Sequence, residues 1–594
     1  MKNKIISQTL VILLVFIGIV SCNKYIDKTP LSADTQANFY TNADQVQQAL
    51  TGVYNAFGAR SVSPGFSNPT PYYAKFDLYT EIGLERGLSG TIASGSYDPT
   101  NGTISEIWAA FYQVIQRANN LLLYMTKAQG VMTPTDYNRV IAETKVLRAM
   151  AYWHLVVFYG DVPLVTAPPT SQGELYSYSR QNKKDIIDYL LKDLSSITKD
   201  LDWQPAQQGR VSKGVAFGIA ARLAMVDKRY STVTDLTDSI INSSQYGLNP
   251  SYQNLFRKAS QALNVNKEIM FIYPFGDADA GSFNYLQLVQ GSRNQGGQAS
   301  HFPSQFLVDL FECTDGKTIN QSALYNPARP NKNRDSRMAQ TVIVPGDTVV
   351  VQGFTSMVFN FTDRFMATYN TTSNTITFPS TINNQDSASI FGPRLNGLGN
   401  IWRKYCQDRD INGNAGNLYK VGWIYMRYAE MLLLNAEANL EKGAPATAVA
   451  TQLNKLRIRA SMPVVAPDVL ADPIKLKQLV RREKTIELAN EGLHIADMRR
   501  WDDGAYAEKV MPIQMYGEAN SNMQFTPTVG LEFKIPAPAP IFDATYNVPI
   551  SWINGDALRL KRELRIFNKN QHILCPIPQG ERDKAPSLTQ NSNW

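Results

Sequence analysis

The chain has 594 residues, of which 44% are hydrophobic and 18% charged, and a formal charge of +7. That length supports a large buried core, in two or more lobes. The positive excess is mild and no Lys/Arg block of five or more occurs, which excludes the concentrated basic stripe of a nucleic-acid binder.

Lys2 and Lys4 precede an unbroken apolar run from Leu10 to Val20, followed by Ser21 and Cys22. This is the layout of a secretory signal peptide. The run is too short to cross a bilayer as a helix, which takes about 20 apolar residues. A cysteine at the cleavage point resembles the lipobox of bacterial lipoproteins. That implies an acylated Cys22 as the mature N-terminus, held in a membrane by about 0.8 kcal/mol per buried methylene. The alternative is an ordinary signal peptide with an incidental cysteine. Loss of residues 1–21 removes both lysines and lowers the charge from +7 to +5.

The next third is helical by periodicity. Val46, Ala49, Leu50, Val53 and Phe57 share one face, as do Ile104, Ile107, Trp108, Phe111, Ile115, Ala118, Leu122 and Met125. Val146, Ala149, Met150, Trp153 and Val157 repeat the pattern, and so do Val215, Ile219, Leu223 and Val226. Thr133-Pro134 and Gly160-Asp161-Val162-Pro163 mark helix boundaries. Ser61 to Thr103, rich in Gly, Ser, Pro and Tyr, reads as a long loop, a feature that is usually functional.

Helical period fades over 250–420, where short alternating runs such as Thr341–Val344 and Thr375–Phe378 predict small strands. Helices return with Ala429, Leu432, Leu433, Ala436 and Leu440, then over Thr447–Ala460 and Ile474–Asn490. The tail over 511–594 holds Pro-rich connectors such as Ile535–Pro540. The expected organisation is a signal peptide over 1–21, a helical region over 22–245, an irregular insertion over 246–420 and returning helices over 421–594. Neighbouring helices of this length predict a mainly α fold of stacked hairpins, of which the tetratricopeptide class is one example.

Cys313, Cys406 and Cys575 are odd in number and far apart, which fits neither a disulfide framework nor a zinc site, although one bridge stays open. His154, His301, His494 and His572 are equally scattered, with no metalloprotease pair. No nucleophile elbow or phosphate-binding loop occurs, and Gly291–Gly297 lacks the Lys-Ser/Thr that a phosphate cradle needs. No cofactor and no metal are expected. Glu483 and Glu487 lie four apart on one helix face, a spacing open to acid–base chemistry but more often an ion-pair network, here with nearby Arg481, Arg482 or Lys484. Glu81 and Glu85 are read in the same way, with a ligand role open because of the long loop. Arg457 and Arg459, two apart, fall on different faces.

In order along the chain stand Cys22–Asp27 with Pro30, Phe39-Tyr40, Ala49–Tyr54, Arg148–Tyr152, Tyr159–Leu164, Lys213–Val226 and Tyr428–Glu430 with Ala436–Ala438. Leu453–Ala460, Glu487–Gly492, Asp497, Arg500-Trp501, Pro576–Pro578, Gln590-Asn591 and Trp594 follow. Together these motifs resemble the SusD/RagB family of outer-membrane nutrient-binding lipoproteins of Bacteroidetes. His494 departs from the family pattern, which has arginine there, and the residues after Cys22 carry only Asp27 as an acid nearby.

The resemblance implies a lipid-anchored outer-membrane protein, facing outside, that captures an oligosaccharide without chemistry and delivers it to a SusC-like TonB-dependent transporter. Peptide capture, as in the RagB branch, is the alternative, followed by a surface hydrolase. Sugars pack their C–H faces on aromatic rings and bond their hydroxyls to amides and carboxylates. Tyr72, Tyr73, Tyr97, Asp98 and Asn101 in the first loop meet that description, as do Tyr273, Phe283, Asn284, Tyr285 and Arg293 in the insertion.

Overall fold

The computed structural model describes residues 39–594 except 59, 64–65, 86–91, 206, 264, 276–285, 352–353, 360–366, 371–374, 378–382, 387–399, 407–420, 513–515, 519–522, 527–529, 534–535, 552–558 and 562–564. The long helices of its first part are α1 (Ala43–Phe57), α2 (Gly102–Tyr124), α3 (Pro134–Tyr159), α4 (Lys183–Ile197), α5 (Lys213–Val226) and α6 (Tyr230–Asn242). Each packs on the one before it. The side chains of Asn42, Asn101, Thr133, Asn182 and Ser212 each accept a backbone N–H of the first turn, which satisfies donors the helix leaves unpaired. Pro134 takes the first position of α3, where its missing N–H costs nothing. Gly160 ends α3 at φ 72, and a Cβ there would come within 2.7 Å of Leu574.

The apolar stripe of α2 is buried at Ile104, Ile107, Trp108, Phe111, Ile115 and Ala118, against α1 and α3. Each such side chain contributes about 1.5–3 kcal/mol. From Val146 to Tyr159 every residue of α3 is buried, so this helix runs through the centre of the stack.

The chain leaves the stack after α6 and returns at α8 (Tyr428–Glu441), which packs directly on α6; α9 (Ala446–Arg459) and α10 (Pro473–Leu488) continue the series. Strands β2 (Ile269–Tyr273) and β4 (Trp423–Arg427) pair antiparallel at the neck of the excursion. Inside it lie α7 (Ser336–Thr341), a two-stranded pair of Val342–Ile343 with Ile401–Trp402, and an antiparallel four-stranded sheet built from Thr348–Val351, Phe354–Val358, Ala367–Asn370 and Thr375–Thr377. The fold is mainly α, with helical hairpins and a loop-rich insertion. Cys313, Cys406 and Cys575 are free and buried.

The family motifs become contacts. Arg148 donates to Asp193 at 2.7 Å and Asn119 at 2.8 Å, tying α3 to α4 and α2. Glu430 takes Arg222 through both oxygens, at 2.6 and 2.7 Å, and joins α8 to α5. Glu437 receives Lys484 at 2.8 Å and the Trp501 indole at 2.7 Å.

The largest motif cluster surrounds α10. Arg427 reaches Glu268 at 2.8 Å, Glu487 at 2.7 Å and Glu491 at 2.7 Å. Arg337 spans Asp335, Glu483 and Glu487 at 2.7, 2.9 and 3.0 Å. Arg457 joins Glu312 to Glu483, Arg459 joins Glu268 to Glu487, Arg482 meets Glu312, and Lys404 meets Glu491. Glu483 and Glu487 do form the expected network, but with Arg337, Arg427, Arg457 and Arg459. Of the neighbours expected from sequence, Arg481 turns to Asp502, Arg482 to Glu312 and Lys484 to Glu437 and Asp497. Arg481, Arg482 and Lys484 stand two, one and one positions from Glu483, hence on other faces of the helix, and find other partners. Burial alone would raise the Glu487 carboxyl; Arg459, Arg427 and Arg337 outweigh it and hold it well below the usual carboxylate range.

Removing one member leaves the others buried and uncompensated, at a cost of about 3–5 kcal/mol. Arg427→Met should lower the urea-denaturation stability by about that amount. Lys475→Ala, which breaks the exposed pair with Asp468, should leave the midpoint unmoved; equal effects of the two would remove the network from its central place.

Candidate ligand-binding face

The stretch expected to be one loop carries a 3-10 segment, Tyr72–Tyr79, and a strand, β1 (Gly83–Glu85). Its order comes from distant partners. β1 pairs with β3 (His301–Pro303), Ser304 Oγ donates to the Glu81 carbonyl at 2.6 Å, and the Arg565 guanidinium donates to the carbonyls of Thr80 and Gly83. Glu85 lies 3.6 Å from His301. The first loop region and the insertion therefore form one face.

A turn of the insertion is braced beside it. Asp386 accepts Ser292 Oγ at 2.5 Å and Arg293 N at 2.8 Å. Asn294 donates to Asn384 at 2.7 Å and accepts Gln385 N at 2.8 Å. Ser292, Asn384 and Asp386 of this cluster are buried and hold the turn, while Arg293 and Asn294 stay half-buried.

The sequence-derived candidates separate. Cys22, Phe283, Asn284 and Tyr285 lie outside the described residues, as does the side chain of Tyr72. Tyr73 is 2% exposed and packs against Phe57 at 5.8 Å and His154 at 6.3 Å, inside the core. Tyr97 is 8% exposed, under Trp594 at 4.8 Å and His572 at 5.6 Å. Both rings are spent on packing and present no open stacking face. Asp98 is exposed, but its Oδ1 accepts the backbone N–H and hydroxyl of Thr100 at 2.7 and 2.6 Å. Asn101 caps α2 through Ile104 N at 3.3 Å. Tyr273 and Arg293 stay half-buried in the insertion. Tyr273 lies over Gly58, where a Cβ would come within 2.1 Å of the ring, and meets Phe275 edge-on at 5.4 Å.

Sequence reasoning missed a second concavity, a cleft of about 820 Å³ between residues 312–321, the start of α10 and residues 542–547. Its walls mix amides (Asn320, Gln321, Gln478) with Val464 and Ile474, and Phe542 is its one aromatic lining residue. Glu312 lies at its floor. Burial raises that carboxyl, yet both oxygens are taken, by Arg482 at 3.1 Å and Arg457 at 3.0 Å. Glu81 gives one oxygen, Oε1, to His494 and Tyr506, and Glu85 lies against His301. Among the described residues no group of three or more His, Cys, Asp or Glu is placed to hold a metal ion. No described helix is long and apolar enough to cross a membrane.

Comparison with known proteins agrees with this fold. A family model described as SusD family matches residues 243–594, and one described as starch-binding associating with outer membrane matches residues 24–225. SusD-like protein P25 of Formosa agariphila is 22% identical over 517 residues, covering 84% of this chain and 90% of that protein. Starch-binding protein SusD of Bacteroides thetaiotaomicron is 23% identical over 324 residues, 50% of this chain and 56% of that one. Among solved structures, a SusD-like carbohydrate binding protein from Bacteroides fragilis superposes with a TM-score of 0.72 at 22% identity, covering 93% of this chain and all (100%) of that one. A laminarin binding SusD-like protein superposes at 0.63 with 18% identity, covering 93% and 100%.

The departure at His494 is answered by geometry. Its Nε2 meets Glu81 Oε1 at 2.7 Å, Tyr506 donates to the same oxygen at 2.9 Å, and Asp77 accepts the N–H groups of Glu491, Gly492 and His494 at 3.0, 3.0 and 3.3 Å. Burial pushes the imidazole down, but Glu81, Asp77 and Asp497 outweigh it and raise it; burial pushes Glu81 up, but His494 and Tyr506 outweigh it and lower it. The histidine's contribution is full below its ordinary 6.5 and lost as pH rises through the raised folded value. That of Glu81 is full above its ordinary 4.5 and lost as pH falls through the lowered one. Denaturation midpoints of wild type and His494→Gln should therefore differ most between about pH 4.5 and 6.5 and converge in alkali. A gap that ignores pH contradicts the ion pair.

Proposed function

The chain belongs to the SusD family, and from that premise we propose that it captures carbohydrate at the outer membrane without chemical conversion. In this reading acylated Cys22 anchors it, the loop-rich face holds an oligosaccharide, and a SusC-like TonB-dependent transporter receives the ligand. The observation that supports the binding role is the braced turn Ser292–Asn294 with Asn384–Asp386, which fixes the half-buried Arg293 and Asn294. Preorganised amides lower the entropy lost on binding. The relatives named for starch, laminarin or carbohydrate point to the same ligand class. Against a hydrolase stand the carboxylates themselves: those at helical spacing, Glu483 and Glu487, are closed from solvent and saturated with guanidinium groups.

Peptide capture has one observation in its favour. The 820 Å³ cleft carries Val464 and Ile474 and a single aromatic, a lining suited to aliphatic side chains more than to sugar rings.

Calorimetry against oligosaccharide and peptide panels should give saturable heat with at least one glycan. Arg293→Ala and Tyr273→Ala should each weaken that binding by about tenfold, or about 1.4 kcal/mol. Heat confined to peptides would reject the carbohydrate reading, and product formed during prolonged incubation, above a heat-killed control, would reject the absence of chemistry. Cys22→Ser should move the protein from the membrane to the soluble fraction; unchanged membrane recovery refutes the anchor.

A further inference from the structure

Every buried arginine described in this fold has its charge answered by oxygen, except one. Arg148, Arg222, Arg337, Arg427, Arg457, Arg481 and Arg482 each meet a carboxylate. Arg334 and Arg565 donate to sets of backbone carbonyls. Arg499, in α11 (His494–Arg500), is 4% exposed and donates only to a thiol, from Nη2 to Cys575 Sγ at 3.5 Å. Its guanidinium carbon stands 5.2 Å from the Phe158 ring centroid. Its Nε and Nη1 are buried with no acceptor, and the buried Tyr97 hydroxyl meets no oxygen or nitrogen, only the same Cys575 sulfur.

The surrounding polar side chains supply no carboxylate. Tyr159 donates its hydroxyl to the Ile104 carbonyl at 2.5 Å. His572 Nδ1 is occupied by Asn568 N at 2.9 Å, which leaves the proton of the neutral ring on Nε2; burial and Arg499 both push that ring's pKa down. The cluster thus holds one positive charge and no carboxylate, walled by Phe158, Trp594 and the backbone of the tail. An uncompensated charge in such surroundings is strongly unfavourable. Water satisfies donors but does not neutralise a cation.

We infer that Arg499 and Tyr97 form a buried binding site for one small monovalent inorganic anion of the halide type. A single negative charge matches the single guanidinium. The enclosure, with Arg499, Tyr97, Cys575 and His572 all buried, favours a small ion over a large one, and a doubly charged anion holds a hydration shell that is harder to strip. Bound there, the anion joins three segments far apart in sequence: α11, the end of the first loop region at Tyr97, and the C-terminal tail. That tail is already latched by Asn591 to the carbonyls of Tyr159 and Cys575 at 3.0 and 2.7 Å.

The test melts the full mature chain in sodium chloride, sodium bromide and sodium gluconate at equal ionic strength. Chloride and bromide should raise the midpoint saturably, as binding to the folded state requires, and gluconate should not. Arg499→Met should abolish the halide dependence. Tyr97→Phe, a milder change, should raise the half-saturating halide concentration by about three- to tenfold. Bromide-soaked crystals should show an anomalous peak within hydrogen-bond reach of Arg499. Equal midpoints in all three salts overturn the proposal, as does a bromide peak only elsewhere. A wild type indifferent to halide that becomes halide-dependent on Cys575→Ala also overturns it, and assigns the compensating charge to the Cys575 thiolate.

Discussion

One set of buried charges holds this protein in register. Six basic side chains, Arg337, Lys404, Arg427, Arg457, Arg459 and Arg482, meet six acids, Asp335, Glu268, Glu312, Glu483, Glu487 and Glu491. The helical series supplies Arg457, Arg459, Arg482, Glu483 and Glu487; the insertion supplies Glu268, Glu312, Asp335, Arg337 and Lys404, and Arg427 stands where the chain rejoins the stack. Ion pairs removed from water gain little net stability over well-packed apolar residues. What this cluster supplies is exclusivity: any other docking of the insertion strands several charges at once.

The ligand face inherits that register. The turn after α10 carries Asn490 and Gly492 at positive φ, and a Cβ on Gly492 would come within 2.0 Å of the Tyr73 carbonyl. The same turn presents the N–H groups that Asp77 accepts and leads into His494, which binds Glu81. From Glu81 the chain runs directly into β1, and β1 pairs with the insertion through β3. Three carboxylate contacts thus carry the geometry of a central helix out to the loops, and the family motif Glu487–Gly492 is the hinge of that relay.

Much of the helical scaffold was legible because burial there is periodic. The stripe of α2 and the boundaries at Thr133-Pro134 and Gly160 are local signals that the structure places as read. α4 carries Ile186, Ile187, Leu190, Leu194 and Ile197 at the same spacing, so its signal is equally local. α6 differs. Its Ser, Thr and Asp residues favour competing local hydrogen bonds, and it is helical because α5 and α8 pack on it. The first loop region was illegible for a related reason: β1 and the Asp77 contacts depend on partners hundreds of residues away. Composition alone also could not say that Tyr73 and Tyr97 turn inward while Tyr273 stays half-open.

The carboxylates show why proximity is a poor guide to chemistry. Acid–base catalysis wants two groups whose environments push their pKa values apart, with at least one oxygen free to meet a substrate. Glu312 and Glu483 satisfy the first condition: burial leads a rise in one, while Arg337 and Arg457 overcome burial and lower the other. Glu312 even lies at the floor of the larger cleft. Both fail the second condition, because each oxygen of each residue already accepts a guanidinium N–H. A substrate entering the cleft would have to break a charge cluster that holds the insertion to the helices. Glu312 and Glu483 therefore mark where the structure is locked.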